Sequence, residues 1–282
     1  MIDRFIQLYA HTPEHPAKLR IFVWLCCLLK GRRRLRLNVS GGLVMRLSPH
    51  DHVDRSLILT DSHETLTTRF INENLRPSET AVIAGAHIGY HVLQTARALG
   101  PHGRVVAFEP EPQNLLLARE HITLNGFDSS VALLGHALGA APGYVAMEAP
   151  PKDNTGEARL GTIPGATAYR AWVETLAAAL ARLAVPAFDL LLLDVEGFER
   201  QALTGLGDHR PRLMIIESDP RFHSRMAEPQ ADFFAFVRSL GYELHSLDGS
   251  VVHAEGFYPE CNLIAVRLGE PSPRWPVPAP SS

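Results

Sequence analysis

The sequence predicts an α/β fold in which a parallel sheet carries helices on both faces. Three observations predict it. The chain has 282 residues of which 46% are hydrophobic, apolar strand-like segments alternate with helical segments from residue 81 onward, and a glycine-containing turn follows the first of those segments. We divide the chain into an N-terminal accessory segment at 1–60, a main domain at 61–268 and a Pro-rich tail at 269–282, which we expect to be loose.

The N-terminal segment is predicted to form a helix, a basic cluster and a short β segment at 35–47. Its apolar run, Ile21–Leu29, is too short for a bilayer, which requires about 20 residues. A signal peptide would carry basic residues before the run. Here they follow it, at Lys30, Arg32, Arg33, Arg34 and Arg36.

The elements of the main domain follow from local patterns. Apolar residues at spacings of three and four predict a helix over 61–75, ended by Pro77. Pro112 and Gly126 mark the start and stop of a helix over 112–125. Short apolar runs predict strands at 81–84, 104–108, 131–134, 144–147, 188–193, 213–217, 242–247 and 263–266, and further helices are predicted from the glycine turn to about 99, at 169–183 and at 231–240.

Composition and charge exclude several classes of protein. The net charge of −3 does not fit a disordered acidic chain or a basic nucleic-acid binder, so we expect no nucleic-acid partner. The charge is divided unevenly, with +4 over residues 1–79 and −7 over the remainder. Three cysteines without a C-x-x-C pair predict neither a disulfide framework nor a structural zinc site, and they fit a reducing cytoplasm.

The first chemical signal is the turn from Gly85 to Gly89, directly after the first predicted strand. Glycines at such a turn let the backbone approach a ligand closely and let a helix begin at once. The spacing is G-x-x-x-G, which differs from the G-x-G-x-x-G of dinucleotide sites. A plain strand-to-helix turn is the alternative interpretation.

Acidic residues at two predicted strand ends strengthen that signal. Glu109 ends the second predicted strand, where a carboxylate can accept hydrogen bonds from both hydroxyls of a ribose. Asp194 and Glu196 follow a central apolar strand, where carboxylates can act as a general base, orient a cationic cofactor or bind a divalent metal. Capping of the next helix is the alternative, stronger for Glu196 and Glu199 than for Asp194.

Taken together, these stretches resemble the FkbM family of S-adenosylmethionine-dependent methyltransferases. The resemblance spans about residues 60–268 and is carried by segments at 85–93, 103–126, 136–139, 190–203 and 212–217. It implies a Rossmann-like seven-stranded methyltransferase sheet, S-adenosylmethionine as methyl donor, and O-methylation of a hydroxyl on a sugar or small natural product.

The same resemblance implies roles for individual residues. The glycine turn would line the methionine part of the cofactor, Glu109 would hold the ribose with support from Asn114, and Asp194 would lie near the reacting methyl. The candidate cofactor-binding residues are therefore Gly85, Ala86, His87, Gly89, Tyr90, Glu109, Asn114 and Asp194. The candidate catalytic residues are Asp194, Glu196 and His87, among which the proton acceptor stays open, and no metal site is predicted. The segment Asn154–Gly156 matches a substrate-side segment of the family more loosely.

Three positions depart from the family pattern. Ile83 stands where the family usually has an acid, His87 where it usually has asparagine, and Ala177 where it usually has an aspartate. Loss of a charge-assisted hydrogen bond at Ile83 would cost about 1.5–3 kcal/mol of cofactor binding if nothing replaces it. A non-catalytic relative with a degraded site is therefore the second hypothesis, and a nicotinamide-dependent oxidoreductase is the third.

Partners follow from these hypotheses. We expect a small-molecule or glycan hydroxyl acceptor. For the N-terminal segment, packing on the main domain or on a second subunit as a homodimer is the more common arrangement, and contact with an anionic membrane surface is the less common one.

Overall fold

A computed structural model describes residues 2–13, 17–30, 34–148, 159–160, 168–225, 228–253, 256, 258–259 and 261–276. Its N-terminal segment contains two helices, α1 (Ile2–Ala10) and α2 (Lys18–Lys30), that pack against each other. An antiparallel hairpin of β1 (Leu35–Val39) and β2 (Leu43–Leu47) follows. Two further helices, α3 (His52–Thr60) and α4 (Thr65–Asn74), lead into the main sheet. Among the described residues no helix combines the length and apolar character needed to cross a bilayer.

Seven strands form the main sheet, as the family resemblance implies. They are β3 (Thr80–Ala84), β4 (Arg104–Phe108), β5 (Val131–Leu134), β10 (Leu190–Leu193), β11 (Leu213–Ser218), β12 (Tyr242–Ser246) and β13 (Cys261–Arg267). The spatial order is β12-β13-β11-β10-β3-β4-β5. The strand β13 runs antiparallel to both neighbours, because it returns from β12 without the crossover helix that a parallel pair requires.

Helices cover both faces of this sheet and bury two apolar clusters against it. Their bounds are α5 (Tyr90–Leu99), α6 (Pro112–Leu124), α7 (Leu176–Arg182), α8 (Glu199–Thr204), α9 (Pro220–Arg225) and α10 (Gln230–Ser239). The predicted Rossmann-like α/β fold with an N-terminal extension is therefore confirmed.

A second, four-stranded sheet is inserted between β5 and α7. It contains β6 (Ala137–Leu138), β7 (Gly143–Glu148), β8 (Arg159–Leu160) and β9 (Ala168–Glu174) in the order β6-β9-β7-β8. The predicted strand at 144–147 is therefore present but belongs to this sheet.

The predicted helix over 169–183 is wrong in its first half. Residues 168–174 form β9, in which Ala171 and Val173 are buried while Arg170 and Trp172 are exposed, the alternation of a strand. Thr175 then adopts an extended backbone, and its hydroxyl accepts from the amide of Ala178 to cap α7. High alanine content in the sequence concealed this boundary.

The predicted helix over 61–75 also begins later than expected. The chain bends at Asp61 and Glu64, both with positive φ, so that α4 begins only at Thr65. The preceding helix, α3, was not predicted. Its start is fixed by Asp51, whose carboxylate accepts from the amide of Asp54.

The N-terminal hairpin is bound tightly to the main domain through α6. The side chain of Asn125 exchanges two 2.8 Å hydrogen bonds with the backbone of Val44. The amide of Arg46 donates to Nε2 of His121 at 2.9 Å, so the ring proton lies on Nδ1, which donates to the carbonyl of Ile88 at 2.7 Å. Burial lowers the pKa of His121, which keeps the ring neutral and this arrangement intact.

The expectation of a loose tail fails as far as residue 276. The ring of Trp275 packs on Phe70 and on His245, with centroids 5.9 Å and 5.0 Å away. Asn74 also exchanges two side-chain-to-backbone hydrogen bonds with Arg274. The remaining tail, 277–282, lies outside the described residues.

Candidate functional site

Four neighbouring strands of the main sheet end at one edge. Three of them bring a predicted site residue there, and the fourth brings a further carboxylate. Gly85 follows β3, Glu109 follows β4, Asp194 follows β10, and Glu217 lies near the end of β11. Ligands of open α/β sheets bind outside these carboxyl ends. The predicted cofactor and catalytic residues are therefore collected at one edge by the topology.

The glycine turn lies very close to the neighbouring strand end. The amides of Gly85 and Ala86 both donate to the carbonyl of Phe108, at 3.0 Å and 2.8 Å. Gly85 has φ of 89°, and a Cβ at this position would lie 1.7 Å from the carbonyl oxygen of Asp194. Only glycine fits here, because a side chain would have to displace backbone. The turn then places Gly89 at the N-terminal cap of α5, so that Tyr90 begins the helix.

Glu109 is buried and holds the turn on which the cofactor is expected to rest. Its two carboxylate oxygens accept from the amides of His87 at 2.7 Å and Glu111 at 2.8 Å. Burial raises the pKa of Glu109 to about 7, although these two hydrogen bonds act in the opposite direction. Glu111 in turn caps α6 by accepting from the amide of Asn114, which is also buried.

His87 has an unusual backbone conformation and a shifted pKa. Its φ is 47°, in the left-handed region. Burial lowers the pKa of His87 to about 4, with Asp51 opposing the shift and His63 adding to it. An imidazole with this pKa is a weak proton acceptor near neutral pH, which weakens the case for His87 as the general base.

Three carboxylates converge at the ends of β10 and β11. Oxygens of Asp194, Glu196 and Glu217 all lie within 4.8 Å of one another, and the three residues are half-buried. The strand ends at Leu193 and Glu196 has φ of 56°, so a tight turn, and not a continued strand, brings Asp194 and Glu196 together. Such a group of oxygens suits a divalent cation or a positively charged organic group.

Glu217 was missed in the sequence analysis. Its pKa is raised well above the ordinary value by burial, by the charge of Asp194 and by a hydrogen bond with Asp194. The signal was available, because an acid after the apolar run of 213–216 is the same pattern as an acid after 190–193.

Glu199 has a structural role. Its carboxylate accepts from the amides of Val195 at 3.3 Å and Gly197 at 3.1 Å, which closes the turn before α8. Burial raises the pKa of Glu199 to about 7. The alternative of helix capping therefore describes Glu199.

The stability of the fold should fall as the pH rises above the ordinary carboxyl range, in part because of Glu217, whose pKa burial raises well above its usual value. A carboxyl whose folded pKa is raised stabilises the fold at low pH, and that contribution is lost as the pH rises toward the folded value. Glu109 and Glu199, whose pKa values are raised to about 7, contribute in the same direction, so a variant of Glu217 is needed to isolate its share. We expect each of these groups to lower the free energy of unfolding by up to about 1.4 kcal/mol per pH unit.

Urea denaturation at several pH values measures this decline. Glu217→Gln keeps the shape of the side chain but cannot ionise, so the decline of its stability with rising pH should be less steep than that of the wild type. Equal slopes for the two proteins would contradict the assignment to Glu217.

The inserted sheet contributes a further residue that sequence reasoning did not single out. The hydroxyl of Tyr169 on β9 is buried and has no hydrogen-bond partner among the described residues. Its pKa is raised by burial and by the charges of Glu111 and Glu109, which places β9 close to the ribose-binding candidate. No sequence motif marked Tyr169, because the prediction assigned it to a helix. The segment Asn154–Gly156 lies outside the described residues.

Ile83, the position of the missing acid, is fully buried in β3 and belongs to the apolar cluster beneath α5. Apolar packing, and not a polar contact, occupies that position. Among nearby acids, Asp51 at the start of α3 acts electrostatically on His87 in the turn. The N-terminal segment thus supplies a buried carboxylate near the site.

Comparison with known proteins gives a family match within the main part of the chain. A family model described as "Methyltransferase FkbM domain" matches residues 84–244, more than half of the chain, and confirms the resemblance. No curated protein matches.

Solved structures similar to this chain include three that are described as methyltransferases or methylases. A putative rRNA-methylase from Clostridium thermocellum has 9% identity and a TM-score of 0.47, and the alignment covers 73% of this chain and 96% of that one. An O-methyltransferase from Bacillus cereus in complex with SAH has 15% identity, a TM-score of 0.42 and coverage of 73% and 82%. A putative O-methyltransferase from Klebsiella pneumoniae has 18% identity, a TM-score of 0.42 and coverage of 73% and 81%.

Proposed function

The chain belongs to the FkbM methyltransferase family, and from that premise we propose that it transfers the methyl group of S-adenosylmethionine to a hydroxyl of a sugar or small natural product. One observation carries the proposal. The close-packed glycine turn, the buried Glu109 and the carboxylates of Asp194, Glu196 and Glu217 lie along the same sheet edge. This order of a turn, a ribose acceptor and a negative region suits a nucleoside that carries a positive sulfonium.

Each part has a proposed task. The backbone of Gly85, Ala86 and Gly89 lines the methionine part, with His87 and Tyr90 beside it. Glu109 accepts from the ribose hydroxyls, and Asn114 supports that contact. The carboxylates favour the sulfonium over the neutral thioether that remains after transfer, because opposite charges attract more strongly in a partly buried site.

In the transfer step, the acceptor oxygen attacks the methyl carbon in line with the sulfur. The carbon–oxygen bond forms as the carbon–sulfur bond breaks, the electron pair stays on sulfur, and S-adenosylhomocysteine leaves. The hydroxyl proton passes to Asp194 or Glu196. The main contribution of the protein is alignment and exclusion of water, since the sulfonium already activates the methyl group.

The burial of Ile83 favours a second candidate, a methyltransferase-like protein that binds a nucleoside without catalysis. At that position the chain offers no acid to a cofactor amino group, and the side chain is committed to the core. The two candidates share a ligand but differ in turnover.

Two measurements test the proposal in sequence. We expect S-adenosylmethionine and S-adenosylhomocysteine to raise the melting temperature of the protein, whereas NAD leaves it unchanged. Stabilisation by NAD alone would support the oxidoreductase instead. We then expect transfer of label from methyl-labelled S-adenosylmethionine into an acceptor in a panel of sugars and hydroxylated natural products. Cofactor binding without any transfer, in the panel or in a metabolite extract, would favour the non-catalytic candidate.

A further inference from the structure

The two N-terminal helices expose an unusual amount of apolar surface. Ten large hydrophobic side chains are exposed among the described residues, and five of them lie within this short part of the chain. Their exposed fractions are 55% for Phe5 and 64% for Leu8 on α1, and 38% for Ile21, 59% for Trp24 and 64% for Leu28 on α2. Clustered exposure of this kind marks an interaction surface, whereas scattered exposure does not.

The exposed side chains follow helical spacing. Phe5 and Leu8 are three residues apart, and Trp24 lies three residues after Ile21 and four before Leu28, so each set lies along one side of its helix. The same helices contribute other residues to the buried core, namely Ile6, Ala10 and Phe22. We call the five exposed side chains the outer apolar face. These side chains do not belong to the buried core, so packing within the described chain does not account for them.

Positive charge accompanies the outer apolar face. Residues 1–36 contain eight lysines and arginines but only two acidic residues. Arg20 and Arg36 are exposed, whereas Arg34 is engaged with the buried carboxylate of Asp54 at 2.6 Å. Net positive charge in a segment whose helices expose an arginine together with aromatic and aliphatic side chains is the combination that attracts anionic lipid headgroups and then inserts into the interface.

We propose that the outer apolar face of α1 and α2 binds the surface of an anionic lipid bilayer. The 13-residue α2 lies on such a surface and does not cross it, since crossing requires about 20 apolar residues. Trp24 suits the headgroup level, where an indole ring has both apolar and polar surroundings. A second copy of the chain fits this face less well. A two-fold interface would bring the two basic segments together, and like charges at an interface oppose association.

Flotation with vesicles tests the proposal on the full-length protein. We expect the protein to float with vesicles of phosphatidylcholine and phosphatidylserine, to remain behind with phosphatidylcholine alone, and to be released by high salt, which screens charge. Equal binding to both kinds of vesicle, or to neither, would overturn the proposal.

Two sets of variants separate the apolar and the basic contributions. Trp24→Glu with Leu28→Glu should lower vesicle affinity at least tenfold, and Arg20→Glu with Arg36→Glu should do the same through charge. The matched control, Leu116→Glu with Leu268→Glu, changes two leucines that are 67% exposed elsewhere and should bind like the wild type. An equal loss in the control would contradict a specific surface.

Light scattering and melting temperature complete the test. All variants should melt near the wild-type temperature, because the changed side chains lie outside the core. A stable dimer that Trp24→Glu with Leu28→Glu dissociates, without vesicle binding by the wild type, would assign the face to a second copy of the chain and would overturn the lipid assignment.

Discussion

Replacing Gly85 by alanine should destabilise the fold by about 3 kcal/mol or more and abolish binding of S-adenosylhomocysteine. The new Cβ would lie 1.7 Å from the carbonyl oxygen of Asp194, so the backbone of β10 or of the turn must move. The same movement would disturb the two amides that donate to Phe108. Both the stability of the fold and the shape of the proposed cofactor site therefore depend on the absence of a side chain at Gly85.

Gly126→Ala is the matched control for that variant. Gly126 also has a positive φ, of 74°, but an added Cβ would meet no atom within 4 Å. The control therefore carries the backbone strain without the collision and should cost about 1–2 kcal/mol. Urea denaturation gives both values. Equal losses for the two variants would show that strain alone, and not the approach of Asp194, makes Gly85 necessary.

Replacing Glu109 by alanine should weaken S-adenosylhomocysteine binding about a hundredfold. Each carboxylate oxygen already accepts one backbone amide, and a carboxylate has about four acceptor sites, so it can still accept from both ribose hydroxyls. A hydrogen bond to a charged group contributes about 1.5–3 kcal/mol, so the loss of two such bonds at the lower value, about 3 kcal/mol, corresponds to roughly a hundredfold. Titration calorimetry measures it directly.

Two further measurements separate the ribose contact of Glu109 from its support of the turn. They are the affinity of Glu109→Gln and the pH dependence of wild-type affinity. The pKa of Glu109 is about 7, so wild-type affinity should decrease from pH 8 to pH 6 as the carboxylate protonates. Affinity of Glu109→Gln should be weak and independent of pH over this range. Glu243→Ala removes an exposed acid that contacts His245 and serves as the control with wild-type affinity. Unchanged binding by Glu109→Ala would refute the assignment of the cofactor site.

The sheet was predictable because its strands have short, strongly apolar sequences with clear ends. The positions of the seven main strands and of the turn at Gly85 follow from that pattern, but the eighth predicted strand, at 144–147, belongs to the second sheet. The boundary at Thr175 was not predictable from periodicity, because alanine is compatible with both elements in 168–182. Tertiary pairing of β9 with β7 decided the outcome.

Within the site, predictability depended on position along the chain. Asp194 and Glu196 stood out because they are close in sequence, whereas Glu217 reaches them only through the pairing of β10 with β11. The titration of these groups depends on burial, which the sequence does not contain. The same is true of His87, whose lowered pKa weakens its candidacy as the general base.

The neutral ring of His121 joins the region that matches the family model to the hairpin in the preceding 60 residues. One ring nitrogen accepts a hydrogen bond from the amide of Arg46 in the hairpin, and the other donates a hydrogen bond to the carbonyl of Ile88 inside the glycine turn. Cutting the chain near residue 60 would remove the donor on one side and uncover the buried face of α6 on the other. The region that matches the family model therefore depends on the hairpin for its structure. An exchange of such regions between related chains must include the hairpin.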